Sequence, residues 1–174
     1  MFVPVTQAIA LIESRGLLER RRKDDSARMI DLARSLLPSL PADLEDFYRA
    51  NIRAVGEFPT VMPTWNDHVG WRGGEAKLTD LLHVQAAPLF GDGCGDLYGL
   101  DLAAGETVPA VYFFDHEDEF SRPHWAAGSS LGAFLLLLAE KDQAFVEKRP
   151  SGWELVIDPD IDKCPRAPAI WNAG

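Results

Sequence analysis

The segment Phe90-Gly-Asp-Gly-Cys-Gly-Asp-Leu-Tyr-Gly-Leu-Asp-Leu102 decides the fold class of this chain. Its first half is rich in glycine, the residue that most readily adopts the positive φ angles of tight turns. Residues 97–102 then alternate between large apolar side chains and Gly or Asp, and residues 84–90 before the turn are mainly apolar, as strands are. The segment therefore predicts an antiparallel hairpin. Its turn glycines are Gly91, Gly93 and Gly95.

Helices are predicted on the N-terminal side of this hairpin. Ser26 can cap a helix whose apolar residues recur at helical spacing over residues 29–37. Pro41 suits the first position of another helix, which we expect to end near Gly56. An earlier helix occupies the loosely apolar residues before the run Arg20-Arg-Arg-Lys23, which we interpret as a solvated helix end.

A third strand and a further helix are predicted on the C-terminal side. Residues 110–114 are apolar throughout, so we expect a central strand that is covered on both faces. Ser129 or Ser130 caps a helix that we expect to end near Lys141. Residues 153–157 are predicted to form a short strand before a proline-rich tail.

This order of elements predicts an α+β fold. We expect a mainly antiparallel sheet of about five to six strands, packed against the N-terminal helices and against one helix after the central strands. The predicted organisation has three parts. They are an N-terminal helical extension (1–37), an α+β domain (38–145), and a short strand with a proline-rich tail packed on that domain (146–174).

The composition excludes several classes of protein. With 47% hydrophobic residues over 174 positions, the chain can bury a core, which excludes a wholly disordered protein. The longest apolar run, residues 131–139, is about half as long as a bilayer span, and the apolar first dozen residues lack the preceding basic flank of a secretory signal. Cys94 and Cys164 are too few for a disulfide framework and fit a reducing cytosol. We therefore expect a cytoplasmic protein with no membrane partner.

The acidic residues are concentrated in one part of the chain. The net charge of −10 comes from 17 basic and 27 acidic residues; residues 1–60 hold nine of each, which leaves 8 basic and 18 acidic residues in 61–174. Between Lys77 and Arg122 there is no Lys or Arg. Such a segment repels phosphate backbones and attracts basic proteins, so we expect a basic protein partner and no nucleic acid. Its acidic residues are Asp80, Asp92, Asp96, Asp101, Glu106, Asp115, Glu117, Asp118 and Glu119.

The densest polar cluster, Asp115-His-Glu-Asp-Glu119, directly follows the predicted central strand. If the strand continued, Asp115 and Glu117 would face one way and His116 the other. Asp, His and Glu are metal ligands and acid–base groups, so a metal-dependent hydrolase is one hypothesis; its residues would be Asp92, Asp96, Asp115, His116 and Glu117. The chain has no His-Glu-x-x-His motif, however. We therefore expect a binding face and no enzyme, metal or cofactor.

Residues 58–74 lack periodicity and predict a loop that contains Trp65 and Trp71. Two tryptophans in a loop indicate either a docking surface or a flap folded over the core. We add them to the carboxylates of the hairpin turn and of the acidic cluster as the predicted partner-binding residues. The full set is Asp92, Asp96, Asp115, His116, Glu117, Asp118, Glu119, Trp65 and Trp71.

Four motifs in residues 40–139 resemble the SUKH superfamily, which includes bacterial toxin-immunity proteins and the fungal Smi/Knr-type cell-wall regulators. Their order and spacing carry the resemblance. In chain order they are Leu40-Pro-Ala-Asp-Leu-Glu-Asp-Phe-Tyr48, the glycine-rich segment Phe90–Leu102 quoted above, Val111-Tyr-Phe-Phe-Asp-His-Glu117, and Ser129-Ser-Leu-Gly-Ala-Phe-Leu135.

The resemblance implies an α+β domain that acts by binding rather than by catalysis. Bacterial members neutralise toxins encoded beside them, so the implied function is that of an immunity or antitoxin-like factor; the fungal relatives imply a regulatory scaffold as the alternative. The chain departs from the family pattern at Cys94, where a glycine is common. The residues at the family's characteristic polar positions are Gly91, Asp92, Gly95, Asp96, Asp101, Asp115, His116 and Glu117.

Overall fold

Five helices and two antiparallel sheets make up the part of the chain that the computed structural model describes, residues 2–20, 26–37, 39–56, 81–91, 95–105, 108–169 and 171. The helices are α1 (Val5–Ser14), α2 (Ser26–Leu36), α3 (Ala42–Arg49), α4 (Leu131–Glu147) and α5 (Glu154–Ile157). The strands are β1 (Leu18–Arg20), β2 (Ile52–Val55), β3 (Ala86–Gly91), β4 (Leu97–Asp101), β5 (Val111–Phe114) and β6 (Trp125–Gly128). The predicted α+β class is confirmed. The six strands of the described residues form a two-stranded sheet, β1-β2, and a four-stranded sheet, β3-β4-β5-β6.

The glycine-rich segment forms the predicted hairpin. β3 and β4 pair in antiparallel fashion, with Gly91 opposite Leu97 beside the turn. β5 pairs with β4 on one side and β6 on the other, and all four of its residues are buried, which confirms the predicted central strand. Because successive side chains of a strand point to opposite faces, Val111 and Tyr112 lie on opposite faces of the sheet.

The helices cover the face of the four-stranded sheet that carries Val111. Residues from α1, α2, α3 and α4 form one core cluster with Val111. Within this cluster the ring of Phe90 lies 5.3 Å from that of Phe47 in α3 and 6.0 Å from that of Phe134 in α4. The helices of residues 1–37 therefore bury their apolar faces in the same core as the rest of the chain.

C-terminal residues cover the opposite face of the sheet. Tyr112 lies there in a second core cluster with Ile161. The N–H of Ala126 in β6 donates a hydrogen bond to the carbonyl of Pro168 at 2.7 Å, and Ala126 also forms an isolated parallel bridge with Ala169. With helices on one face and the C-terminal segment on the other, the sheet presents its turns, rather than its faces, to solvent.

The predicted strand at residues 153–157 is wrong. Glu154–Ile157 form α5, a single helical turn in which the N–H of Asp158 donates to the carbonyl of Glu154 at 2.8 Å. Within the described residues no strand of the four-stranded sheet pairs with this segment. Its backbone groups therefore find their partners within the turn itself.

The boundaries of other elements differ from those predicted. α3 ends at Arg49 instead of near Gly56, because Asn51 adopts a φ of 51° and β2 follows, paired with β1. α4 begins after its N-cap Ser130, as predicted, but continues beyond Lys141 to Glu147. β6 was not predicted, because its alanines and glycine have low strand propensity.

Each helix in the described ranges is too short or too polar to span a bilayer. The longest of them, α4, has 17 residues. Most of its apolar side chains are buried inside the protein, among them Phe134 and Leu138.

Candidate protein-binding site

The acidic cluster that follows β5 is a turn, so the strand ends at Phe114 and the two faces that a longer strand would give to Asp115, Glu117 and His116 do not arise. The N–H of Phe120 donates to the carbonyl of Asp115 at 3.0 Å, and the N–H of Glu119 donates to that of His116 at 3.1 Å. Glu119 and Phe120 both have positive φ angles, 58° and 56°. The Oδ1 atom of Asp115 also accepts the N–H of Glu117 at 2.7 Å, a local bond that favours a turn over a strand.

The acidic turn is attached to the hairpin through Asp96 and His116. The Oδ1 atom of Asp96 lies 2.6 Å from Nδ1 of His116 and accepts the His116 backbone N–H at 3.0 Å. Gly95 has a φ of +112°, and a Cβ atom there would lie 3.4 Å from Cγ of His116. The positive φ angle therefore favours a glycine at this position, whereas the imidazole ring would only be in van der Waals contact with a Cβ atom.

Of the other two predicted turn glycines, Gly91 is the last residue of β3, and Gly93 lies outside the described residues. Asp92, Trp65 and Trp71 also lie outside the described residues. The structure therefore brings together Asp96 and the 115–119 cluster of the predicted partner-binding set.

Asp118 holds the far end of the acidic turn. Its carboxylate accepts the backbone N–H of Ser121 at 3.2 Å and the Ser121 hydroxyl at 3.1 Å, and its Oδ2 atom lies 2.7 Å from Nε2 of His124. The hydrogen bond from His124 lowers the pKa of Asp118 below its ordinary value. Asp118 is thus ionised and positioned, but part of its charge faces a histidine.

Glu117 and Glu119 are the exposed charges of this turn. Their carboxylates make no hydrogen bond or ion pair with any residue that the structure describes. Asp96, Asp115 and Asp118 are partly buried beneath them, and the backbone bonds of the turn fix its shape. We call these carboxylates, together with His116, the acidic face; its residues are Asp96, Asp115, His116, Glu117, Asp118 and Glu119.

His116 is a group of the acidic face that can become a cation as the pH falls. The hydrogen bond with Asp96 raises the pKa of His116, and the negative charges of Asp96, Asp115 and Glu117 raise it further. A histidine in this position gains a proton as the pH falls and then cancels one of the negative charges around it. The charge of the acidic face therefore depends on pH.

Three groups of the acidic face have the donor atoms of a metal site. One ligand atom each from Asp96, Asp115 and His116 lies within 4.8 Å of the others. Nδ1 of His116, however, is hydrogen-bonded to Asp96 at 2.6 Å and lies 3.8 Å from Oδ1 of Asp115. A cation would have to replace the proton that joins the histidine to Asp96. Without a cation, the carboxylate of Asp96 and the imidazole of His116 satisfy each other through their hydrogen bond.

Two buried carboxylates elsewhere have structural partners that sequence reasoning missed. Asp101, one of the polar positions of the family resemblance, forms an ion pair with Arg166 at 2.9 Å. Asp158 accepts both the backbone N–H and the hydroxyl of Ser129, at 2.6 and 2.5 Å. No sequence signal could have found these pairs, because the partners lie 65 and 29 positions apart.

No protein-family model, no curated protein and no solved structure matches this chain. The resemblance to the SUKH superfamily thus stays a prediction from four motifs. The function has to be argued from the geometry and the charge of the acidic face itself.

Proposed function

We propose that this chain is a non-enzymatic binding protein whose acidic face docks on a basic surface of a protein partner. In this proposal it acts as an immunity or antitoxin-like factor in the cytoplasm, and the partner is a basic toxin domain such as a nuclease. The observation that carries the proposal is the pair Glu117 and Glu119. Both are exposed, their carboxylates have no partner within the described residues, and hydrogen bonds fix the backbone of their turn. The toxin itself comes from the family resemblance.

The fixed shape of the turn favours binding. Asp115 and Asp118 accept backbone N–H groups of the turn, so the two exposed glutamates extend from a backbone that is already ordered. A preorganised surface loses less conformational freedom when a partner docks. The free energy of charge pairing with a partner therefore contributes to affinity, because little of it is needed to order the turn.

The charge around the turn favours a cationic partner. The sequence has no Lys or Arg from residue 78 to residue 121, and Nε of Arg122 forms an ion pair with Asp118 at 3.9 Å, which is too long for a hydrogen bond. A cluster of like charges raises the rate at which an oppositely charged protein arrives and makes that rate sensitive to salt. Docking of this kind blocks the partner by steric and electrostatic means without bond chemistry.

Charge removal with preserved shape tests this proposal. The probe is the protein encoded by the neighbouring gene, and the variant is the double substitution Glu117→Gln with Glu119→Gln. We expect the dissociation constant to rise about tenfold at low salt and its dependence on salt to become weaker. The matched control, Asp31→Asn with Asp162→Asn, removes two exposed charges outside the acidic face and should leave both quantities unchanged.

Two results would count against the proposal. Equal affinity and equal salt dependence of the double Gln variant and the natural chain would show that the acidic face does not bind this partner. Capture of a specific partner that is an enzyme of the same cell, and not a toxin, would favour the regulatory scaffold.

A metal-dependent hydrolase is the second candidate, since Asp96, Asp115 and His116 converge. Its test is metal analysis of the purified protein, with Asp96→Asn as the matched variant. Stoichiometric metal in the natural chain that is lost in the variant would favour the hydrolase. Equal, substoichiometric metal in both would exclude it.

A further inference from the structure

A cleft of about 500 Å³ separates residues 122–124 from residues 166–168. Its described walls carry three basic side chains, and the remaining lining is proline and alanine. This is unusual in a chain with a net charge of −10. The basic side chains are those of Arg122, His124 and Arg166.

Hydrogen bonds to the sheet hold both walls of this cleft in place. The N–H of His124 donates to the carbonyl of Phe113 in β5 at 2.9 Å. On the other wall, the N–H of Arg166 donates to the hydroxyl of Tyr112 at 3.3 Å, and Pro168 accepts the N–H of Ala126 in β6. The basic groups are therefore positioned by the core rather than by a loose loop.

The two arginines retain unused donors within the described residues. The guanidinium of Arg122, 77% exposed, makes no hydrogen bond there. His124 is held in the wall of the cleft by the contact between its Nε2 atom and Asp118. Arg166 uses Nη1 and Nη2 on Asp101 and on the carbonyl of Val84, which leaves Nε.

We propose that this cleft binds a small oxyanion, the chemical group that phosphate and carboxylate ligands share. Two guanidiniums line the cleft, and each has N–H groups left beyond its carboxylate partner, which is Asp118 for Arg122 and Asp101 for Arg166. A guanidinium presents paired N–H groups that match two oxygens of one anion. The exposed Arg122 supplies the main attraction, and Nε of Arg166 fixes the position of the ligand. The cleft borders the acidic face through Asp118, which contacts both Arg122 and His124, but anion binding in the cleft does not depend on the proposed function.

Titration with inorganic phosphate tests the proposal on the full-length chain. Backbone amide resonances would be followed by NMR while sodium chloride keeps the ionic strength constant. We expect saturable shifts at the amides of the cleft, and a dissociation constant about tenfold higher in Arg122→Gln. The reporting amides are those of Arg122, His124, Arg166 and Ala167.

The matched control is Arg28→Gln, because Arg28 is an exposed arginine on α2, outside the cleft, and has no hydrogen bond in the described residues. It should leave phosphate binding unchanged. A parallel titration with acetate identifies the preferred group: tighter binding of phosphate assigns a phosphate ligand, and tighter binding of acetate assigns a carboxylate. Shifts that never saturate, or an equal loss in the two Gln variants, would overturn the proposal.

Discussion

Arg166 and Asp101 form an ion pair that joins the C-terminal segment to the end of β4, with 2.9 Å between Nη1 and Oδ1. The Asp101 side chain is 5% exposed and that of Arg166 is 28% exposed. Arg166 also donates to the carbonyl of Val84, and its own N–H donates to Tyr112. One side chain thus connects three parts of the fold that lie far apart in sequence.

We expect Arg166→Met to destabilise the protein by about 2–3 kcal/mol, because the buried carboxylate of Asp101 would lose its cation. The figure is at the low end for a buried pair, since Arg166 is partly exposed to water. The measurement is the free energy of unfolding in urea at neutral pH.

The control for this variant is Arg53→Met. Arg53 pairs with Glu19 at 2.6 Å, but both side chains are half exposed, so the loss should stay below about 0.5 kcal/mol. Equal losses for the two variants would show that the burial of Asp101 adds nothing to the strength of its ion pair.

Asp158 should matter for stability through Ser129. Asp158→Ala removes a buried acceptor of three hydrogen bonds, two of them from Ser129 just before α4, and we expect a loss of about 2–3 kcal/mol in the free energy of unfolding. Ser129→Ala keeps the backbone bond and should cost about 1 kcal/mol. Asp31→Ala, at an exposed helix position, is the control and should change little. A larger loss in Ser129→Ala than in Asp158→Ala would contradict this account.

Gly132 of α4 packs against the backbone of the N-terminal segment. A Cβ atom at this position would lie 2.1 Å from the carbonyl oxygen of Val3. Since that oxygen belongs to the backbone, Gly132→Ala should shift the N-terminal segment and cost about 2–3 kcal/mol, measured as the change in unfolding free energy.

A shortened chain provides the control for this contact. When residues 1–3 are removed, the obstructing oxygen is gone, so Gly132→Ala should cost much less in that background than in the full chain. The difference between the two backgrounds is the coupling energy of the contact. An equal cost in both would place the strain elsewhere.

The fold class could be predicted because the segments that decide it are local. The hairpin follows from glycines between apolar runs, and the interior position of β5 follows from four consecutive apolar residues. β6 could not be predicted, because its residue Ala126 forms a strand through pairing with Tyr112 of β5 and bridging to Ala169 of the C-terminal segment. A weak local preference was overridden by tertiary contacts.

The candidate site was predictable in composition but not in shape. The acidic run Asp115–Glu119 is visible as a cluster in the sequence, and so is the proximity of Asp96 to the hairpin turn. That Asp96 reaches His116 depends on the register between β4 and β5, where Leu97 pairs with Phe114. Sequence periodicity carries no information on such a register, so the contact between Asp96 and His116 was not predicted.

The pairing of His116 with Asp96 makes a prediction for titration by NMR. Because Asp96 and its acidic neighbours raise the pKa of His116, the measured value should lie above the ordinary value of about 6.5. Asp96→Asn preserves the shape but removes the charge, so the pKa of His116 should fall. Asp31→Asn, which removes an exposed charge on α2, is the control and should leave that pKa unchanged. A His116 pKa that is equal in both variants would refute the assignment to Asp96.

The same pair sets a direction for stability against pH. A group whose pKa is raised by folding stabilises the native state fully below its unfolded pKa, near 6.5, and that stabilisation is lost as the pH rises through the folded pKa. The stability advantage of the natural chain over Asp96→Asn should therefore be larger at pH 6 than at pH 8, when the free energy of unfolding is measured in urea at both values. The variant His116→Gln cannot titrate at this position, so in its background the effect of Asp96→Asn should be the same at both pH values. A pH dependence that persists in the His116→Gln background would assign the effect to another group.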